Sequence, residues 1–187
     1  DEVLITLAEH ASNTLPWFEV AKHTGAIIKY IDLDEEGKVT LENVRKAVTE
    51  HTKIISLAQI TNVLGYLAPI KEICNFAHEH DIIVCVDGAQ SAPHHAVDVQ
   101  DLDVDFFAFS GHKMCGPTGV GMLYGKEEEL RKLTHYKGGG KMIATVTFEK
   151  TTYADLPHKF EAGTPNICGG IAFGAAIDYM DEVGFDN

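Results

Sequence analysis

The amino-acid sequence predicts an α/β protein with a three-layer α/β/α arrangement around a mostly parallel sheet. Apolar runs of strand length alternate along the chain with segments of helical pattern, which is typical of parallel strands joined by crossover helices. One connection, between Phe109 and Val120, is rich in glycine and too short for a crossover helix. One antiparallel strand is therefore expected within the sheet.

The predicted elements follow these runs in chain order. Strands are expected at residues 3–8, 26–31, 53–59, 82–87, 105–109 and 120–124. Helices are expected at residues 16–23, 41–50, 69–80, 126–133 and 167–182. Gly25 ends the first helix, Thr40 suits the N-cap of the second, and Pro69 suits the start of the third. The segment between the last two helices, with a glycine run at 138–140, is expected to be irregular.

Composition limits the classes of function. The chain has 187 residues, 45% of them hydrophobic and 23% charged, which suits one globular domain over residues 1–187. Lys and Arg number 15 against 28 Asp and Glu, and the resulting net charge of −13 disfavours nucleic acid and anionic membranes as partners. The apolar runs are too short to cross a bilayer, and the first residues do not resemble a signal segment. A cytoplasmic location is expected.

Three further patterns are weighed and set aside. Residues 32–37 copy the start of a calcium loop, but Asn43 stands where the loop requires glutamate. The glycines at 116–121 match neither a dinucleotide fingerprint nor a P-loop. No metal site is expected from the pairs His112/Cys115 and His94/His95, because no second cluster completes a ligand set. The four cysteines have no paired CxxC spacing and are expected to be reduced thiols: Cys74, Cys85, Cys115 and Cys168.

Two charged residues follow neighbouring apolar runs near the middle of the chain. Asp87 ends the run at 82–87, and Lys113 follows the run at 106–109. Because open α/β sheets bind ligands at the carboxyl ends of their strands, both side chains are expected at one edge of the sheet. Pyridoxal phosphate requires a lysine for its Schiff base and an anion that keeps its ring nitrogen protonated. Lys113 and Asp87 match these requirements, so pyridoxal 5'-phosphate is the predicted cofactor.

Hydrogen-bonding residues near this pair suit the remaining groups of the cofactor. Ser110 and His112 lie beside the lysine, and Gln90 follows the aspartate. Their side chains can bind a phosphate or the ring oxygen. Structural interpretations stay open, since Asp87 could cap a helix, Ser110 could bond to its own loop, and a lone lysine is usually a solvated charge. The occurrence of these residue types together favours the cofactor site.

Three segments of the sequence resemble a known family. They are VDGAQ at 86–90, FSGHKMCGPTGVG at 109–121 and FEAGTPN at 160–166. These motifs resemble the class V aminotransferases, which are pyridoxal-phosphate enzymes of fold type I, and in particular SUF-type cysteine desulfurases and selenocysteine lyases. The resemblance extends over essentially the whole chain and implies that the chain is the central part of the large, cofactor-binding domain.

The resemblance also implies roles for residues that the spacing alone does not assign. His10 would stack on the pyridine ring and, with Lys113, be a catalytic residue. Asn62 would lie near the phenolic oxygen of the cofactor or near the substrate. Thr164 resembles the residue that reaches the phosphate of the neighbouring subunit, which implies a homodimer. The structural alternatives are an ordinary partly buried histidine at His10 and a loop-turn role at Asn62.

The implied reaction converts L-cysteine to L-alanine and passes sulfur to an enzyme cysteine, then to an acceptor protein for iron-sulfur cluster assembly. L-Selenocysteine is the other substrate that the resemblance allows. The family's nucleophilic cysteine and substrate-binding arginine belong to a small C-terminal domain, and another phosphate loop belongs to an N-terminal segment. Both are expected to be absent here, so little desulfurase activity is expected from this chain alone. The alternatives are an epimerase, a kynureninase-like hydrolase, a transaminase or a non-catalytic dimerising fragment.

Overall fold

A six-stranded sheet organises the fold, and the computed structural model describes residues 1–185. Its strands are β1 Glu2–Thr6, β2 Ile27–Ile31, β3 Thr52–Ala58, β4 Ile83–Asp87, β5 Phe106–Ser110 and β6 Gly121–Gly125. The strands lie in the order β2-β1-β3-β4-β5-β6. Neighbouring strands are parallel except for β6, which runs antiparallel to β5. The predicted fold class, including its one antiparallel strand, is confirmed.

Six α-helices accompany the sheet within the described residues. They are α1 Ala11–Thr24, α2 Leu41–Ala47, α3 Ile70–His78, α4 Val99–Leu102, α5 Glu127–Lys132 and α6 Ile167–Val183. The short helix α4 was not predicted; the Asp98 side chain caps it by accepting the N–H groups of Gln100 and Asp101. Within residues 1–185, no helix combines the length and the apolar character needed to span a membrane.

The start of α1 differs from the prediction. The helix begins at Ala11, not at residue 16, and Pro16 lies inside it. His10 is the N-cap, and its Nδ1 accepts the N–H of Ser12 at 3.1 Å. Because the first N–H groups of a helix have no partner within the helix, this ring nitrogen supplies one of the missing acceptors. The predicted end is correct, since Gly25 adopts a left-handed conformation with φ of 76°.

The segment expected to be irregular contains a second, two-stranded sheet. The antiparallel strands β7, Ile143–Val146, and β8, Thr151–Tyr153, form a hairpin, so the prediction was wrong for these residues. The hydroxyl groups of Thr145 and Thr152 hydrogen-bond across the pair at 2.5 Å. Both strands are short and mostly exposed, so they lack the buried apolar run on which the strand prediction depended.

Side chains of the central strands alternate between two environments. On β4, Val84 and Val86 are buried in the main core, together with Phe107 of the neighbouring strand. The core on this side of the sheet includes residues of α2 and α3, among them Val44 and Ile73. The intervening residues of β4 project from the opposite face of the sheet. The candidate site lies on that opposite face.

The core leads to a prediction about stability. Leu57 of β3 is fully buried, so Leu57→Ala is expected to lower the free energy of unfolding by about 2–5 kcal/mol, through lost burial and the cavity that remains. Urea unfolding measures this difference. The matched control is Leu7→Ala, because Leu7 is 77% exposed and its truncation is expected to change stability by less than about 0.5 kcal/mol. Equal effects of the two substitutions would contradict the assignment of Leu57 to the core.

Candidate functional site

The candidate site lies at the carboxyl ends of three adjacent parallel strands. In the sheet register, Ala58 at the end of β3 is paired with Asp87 at the end of β4, and Asp87 is paired with Ala108 of β5. The chain continues from β5 into a 3₁₀ turn, Gly111–Lys113. Parallel pairing therefore brings the Asp87 side chain and the lysine turn to the same edge, as the sequence predicts.

A cavity of about 780 Å³ opens beside this edge and extends along the face of the sheet. Five of the predicted site residues line it: His10, Asp87, Ser110, His112 and Lys113. Most of the remaining wall is apolar and includes Trp17, Ile54, Ile83, Phe106, Leu123 and Leu133. A few polar groups at one end of an apolar cavity of this size are typical of a small-molecule or cofactor site.

Lys113 is held in place by a compact turn. The N–H of Gly111 donates to the carbonyl of Val120 at 2.8 Å, and the N–H of Gly116 donates back to the carbonyl of Gly111 at 2.9 Å. Gly116 is required by close packing, because a Cβ there would lie 2.8 Å from the Gly111 carbonyl oxygen. Among residues 1–185, no carboxylate forms an ion pair with Lys113, so its amine is available to a ligand.

Asp87 is oriented by the turn that follows β4. Its Oδ1 accepts the N–H of Ala89 at 2.8 Å, while Oδ2 has no hydrogen bond within the described part of the chain. Gly88 permits this turn, because a Cβ at that position would lie 2.0 Å from Cζ of the buried Phe107. The carboxylate is thus fixed by one oxygen, and the other oxygen can bind a ligand in the cavity.

The capping bond of His10 determines which ring nitrogen can donate. Since Nδ1 accepts the N–H of Ser12, the proton of the neutral ring lies on Nε2. The imidazole lies at the junction between β1 and α1, and it lines the same cavity as Asp87 and Lys113. The helix start therefore orients a ring at the cavity wall.

Three predicted residues do not line this cavity. Gln90 lies in the turn after Asp87, Asn62 is exposed in the loop after β3, and Thr164 is exposed after Gly163. Gly163 has φ of 84°, which favours glycine at this turn. The roles expected for Gln90, Asn62 and Thr164 stay predictions.

Sequence reasoning missed a set of polar residues beside the site. Asn13 and Ser56 line the cavity, and Glu9 is hydrogen-bonded to Asn13. The one sequence signal for them is the adjacency of Glu9 to His10, together with the helical spacing from Glu9 to Asn13. Their contacts with β3 depend on chain pairing over long range, which no local pattern indicates.

Two of the four thiols, Cys74 and Cys85, are made unreactive by burial. Cys85 lines the cavity on the same strand face as Asp87, and burial raises the pKa of its thiol to about 12. Burial also raises the pKa of Cys74 to about 12. Both thiols are therefore protonated at neutral pH, whereas the thiolate is the reactive form. Within residues 1–185, no group of three or more His, Cys, Asp or Glu side chains is placed to hold a metal ion.

Comparison with known proteins identifies the family. The family model for aminotransferase class V matches residues 1–187, the whole chain. The chain belongs to the class V aminotransferase family. The predicted resemblance is therefore confirmed.

Curated members of the class V aminotransferase family resemble the chain along its full length. It is 52% identical over 186 residues to a probable cysteine desulfurase of Halalkalibacterium halodurans, with 100% of this chain and 46% of the relative covered. It is 48% identical over 187 residues to a cysteine desulfurase of Haloferax volcanii, with 100% of this chain and 44% of the relative covered. The chain spans about half the length of the curated relatives it matches.

A solved structure of the family shares the fold in detail. The cysteine desulfurase CsdA from Escherichia coli superimposes with a TM-score of 0.97 at 41% identity, covering 100% of this chain and 47% of that one. The cystine C-S lyase C-DES superimposes with a TM-score of 0.90 at 26% identity, covering 98% of this chain and 50% of that one. One scaffold therefore serves two related sulfur reactions.

Proposed function

We propose that the cavity is a pyridoxal-phosphate site in which Lys113 holds the cofactor covalently. The observation that supports this most strongly is that Lys113 and Asp87 line one cavity from the ends of adjacent strands. When bound, pyridoxal phosphate supplies an electron-withdrawing ring that stabilises negative charge at the substrate carbon. A structure of C-DES has a ligand covalently linked to this cofactor, which agrees with a role of the shared fold in binding it.

The residues that line the cavity fit this group chemically. The Oδ2 atom of Asp87 has no hydrogen bond among residues 1–185. It would accept a hydrogen bond from the protonated ring nitrogen of the cofactor. His10 would cover one face of the ring, and its neutral form can donate from Nε2. Ser110 and His112 would donate to the phosphate. Gln90, Asn62 and Thr164 are proposed as further cofactor ligands, the last of them toward a partner subunit.

The proposed reaction is that of a cysteine desulfurase, which converts L-cysteine to L-alanine and transfers the sulfur to an enzyme cysteine. The two curated relatives described above are named for this activity. Lys113, released from the cofactor, would hold and move the proton at the substrate carbon. We also propose a homodimer, a cytoplasmic location and delivery of sulfur to an acceptor protein for iron-sulfur clusters. Burial keeps the Cys74 and Cys85 thiols protonated, and the exposed Cys115 and Cys168 do not lie in the sequence context of the family's nucleophile. The sulfur-accepting cysteine is therefore proposed to lie outside these 187 residues.

L-Cysteine binding by the cofactor-loaded chain tests this proposal. L-Cysteine is expected to change the visible absorbance of bound pyridoxal phosphate. With dithiothreitol present as the reductant that releases transferred sulfur as sulfide, at most slow formation of sulfide and alanine is expected. L-Serine, which has a hydroxyl in place of the thiol, is the control and should yield neither product. Absorbance spectroscopy and amino-acid analysis measure the two effects. If cystine is cleaved to cysteine persulfide while L-cysteine leaves the spectrum unchanged, the desulfurase assignment is wrong and a lyase resembling C-DES is favoured.

A further inference from the structure

A partly buried carboxylate immediately precedes His10 and joins three elements of the fold. Its Oε1 accepts the hydroxyl of Thr6 at 2.7 Å. Its Oε2 accepts the side-chain amide of Asn13 and the backbone N–H of Ala58, each at 2.8 Å. This residue, Glu9, therefore connects the end of β1, the first turn of α1 and the end of β3. Three converging donors compensate a carboxylate that is partly removed from water.

The contacts of Glu9 extend to the cavity wall. Asn13, which donates to Glu9 through its amide, accepts the hydroxyl of Ser56 through Oδ1 at 2.8 Å. Asn13 and Ser56 both line the cavity. Glu9 thus lies behind the lining residues, next to the backbone of His10, and it fixes the helix start that orients the imidazole.

The charge of Glu9 has an energetic cost to the fold. Burial raises the pKa of Glu9 above its ordinary value; the hydrogen bonds from Thr6, Asn13 and Ala58 oppose this effect, and the negative charge of nearby Asp87 adds to it. A carboxyl group whose pKa is higher in the folded than in the unfolded state binds protons more tightly when folded. Its ionisation therefore reduces stability as the pH rises above the unfolded value. The negative charge of Glu9 therefore does not stabilise the fold at neutral pH, and another role is needed to account for it.

We propose that Glu9 is a positioning residue that fixes the start of α1, and so His10, while adding its negative charge to that of Asp87 behind the cofactor site. This inference rests on the proposed function, because its electrostatic part concerns the bound cofactor. Two carboxylates on one side of the cavity favour a cofactor whose ring and lysine linkage are protonated and cationic. Glu9 would therefore raise the pH at which the bound cofactor loses its proton.

The decisive variant is Glu9→Gln, because glutamine can keep all three contacts. Its oxygen can accept from Asn13 and Ala58, and its NH₂ group can donate to the Thr6 hydroxyl, which is able to reverse its role. In the cofactor-loaded chain, the midpoint of the visible absorbance change with pH is expected to fall by roughly one pH unit. Glu9→Asp keeps the negative charge, so its absorbance midpoint is expected to lie close to that of the wild type. The matched control is Glu19→Gln, which removes an exposed carboxylate of α1, the helix that begins just after Glu9.

The claim that Glu9 fixes the start of α1 is tested by a separate measurement that needs no cofactor. Glu9→Ala is expected to speed amide hydrogen exchange at Ser12 and Ala58 in the unloaded chain by at least several-fold, because it removes the acceptor that joins α1 to β3. Glu9→Gln is expected to leave that exchange and the melting temperature unchanged or slightly improved. An unchanged absorbance midpoint in Glu9→Gln, or a variant too unstable to fold, would overturn the proposal. If the wild-type chain binds no cofactor, the proposed function and the electrostatic role fail together, and hydrogen exchange alone decides the positioning role.

Discussion

Lys113→Ala is expected to abolish covalent attachment of pyridoxal phosphate. Borohydride reduces the imine between a lysine and this cofactor to a stable bond, so the wild-type chain should have the label on the peptide that contains Lys113. The alanine variant has no amine at the position that the 3₁₀ turn presents to the cavity. We therefore expect complete loss of the label from this peptide and of the visible absorbance of the bound cofactor. Peptide mass spectrometry and absorbance spectroscopy measure both.

The specificity of labelling requires a second lysine variant. Lys53→Ala removes an exposed lysine near the start of β3, at the opposite edge of the sheet from the candidate site, and should label as fully as the wild type. Wild-type labelling confined to another lysine would contradict the proposed anchor. Equal loss of the label in both variants would point to a general effect of lost charge and would also contradict it.

Asp87→Asn is expected to weaken binding of pyridoxal phosphate by about 10- to 100-fold. A hydrogen bond to a charged group contributes roughly 1.5–3 kcal/mol, and an uncharged amide cannot keep the ring nitrogen protonated in the same way. The turn should persist, since the asparagine oxygen can still accept the N–H of Ala89. Titration of the apo chain, followed by visible absorbance, measures the affinity.

Asp178→Asn provides the comparison for charge alone. It removes an exposed carboxylate of α6 and changes the net charge of the chain by the same amount as Asp87→Asn. Its affinity for pyridoxal phosphate should match that of the wild type. If Asp87→Asn binds the cofactor as tightly as this control does, Asp87 has only the structural role of accepting the N–H of Ala89.

The sequence was sufficient to predict how Asp87 and Lys113 come together. Each follows a buried apolar run, and parallel strands present such residues at one edge whatever the details of the loops. The start of α1 was not predictable from the same patterns, because a histidine ring replaces the usual N-cap side chains. The hairpin of β7 and β8 was missed because its strands bury almost no apolar surface.

Other parts of the site depend on contacts between distant segments. Glu9 was not identified from the sequence because its role depends on the hydrogen bond that it accepts from the N–H of Ala58. Only the pairing of β1 with β3 brings these two residues together. Asn62 and Thr164 were assigned through resemblance to the family, and both are exposed outside the cavity lining.

The close approach of Gly88 to Phe107 links the candidate site to the packing of the core. Any side chain at position 88 would overlap the phenyl ring, which fills the space directly under the Asp87 turn. Substitutions at the two positions are therefore coupled: a larger residue at 88 fits only if a smaller residue at 107 makes room for it. A smaller residue at 107 would in turn leave a cavity in the core and lower stability. The turn that presents Asp87 to the cavity thus depends on a residue of the opposite, core-facing side of the sheet.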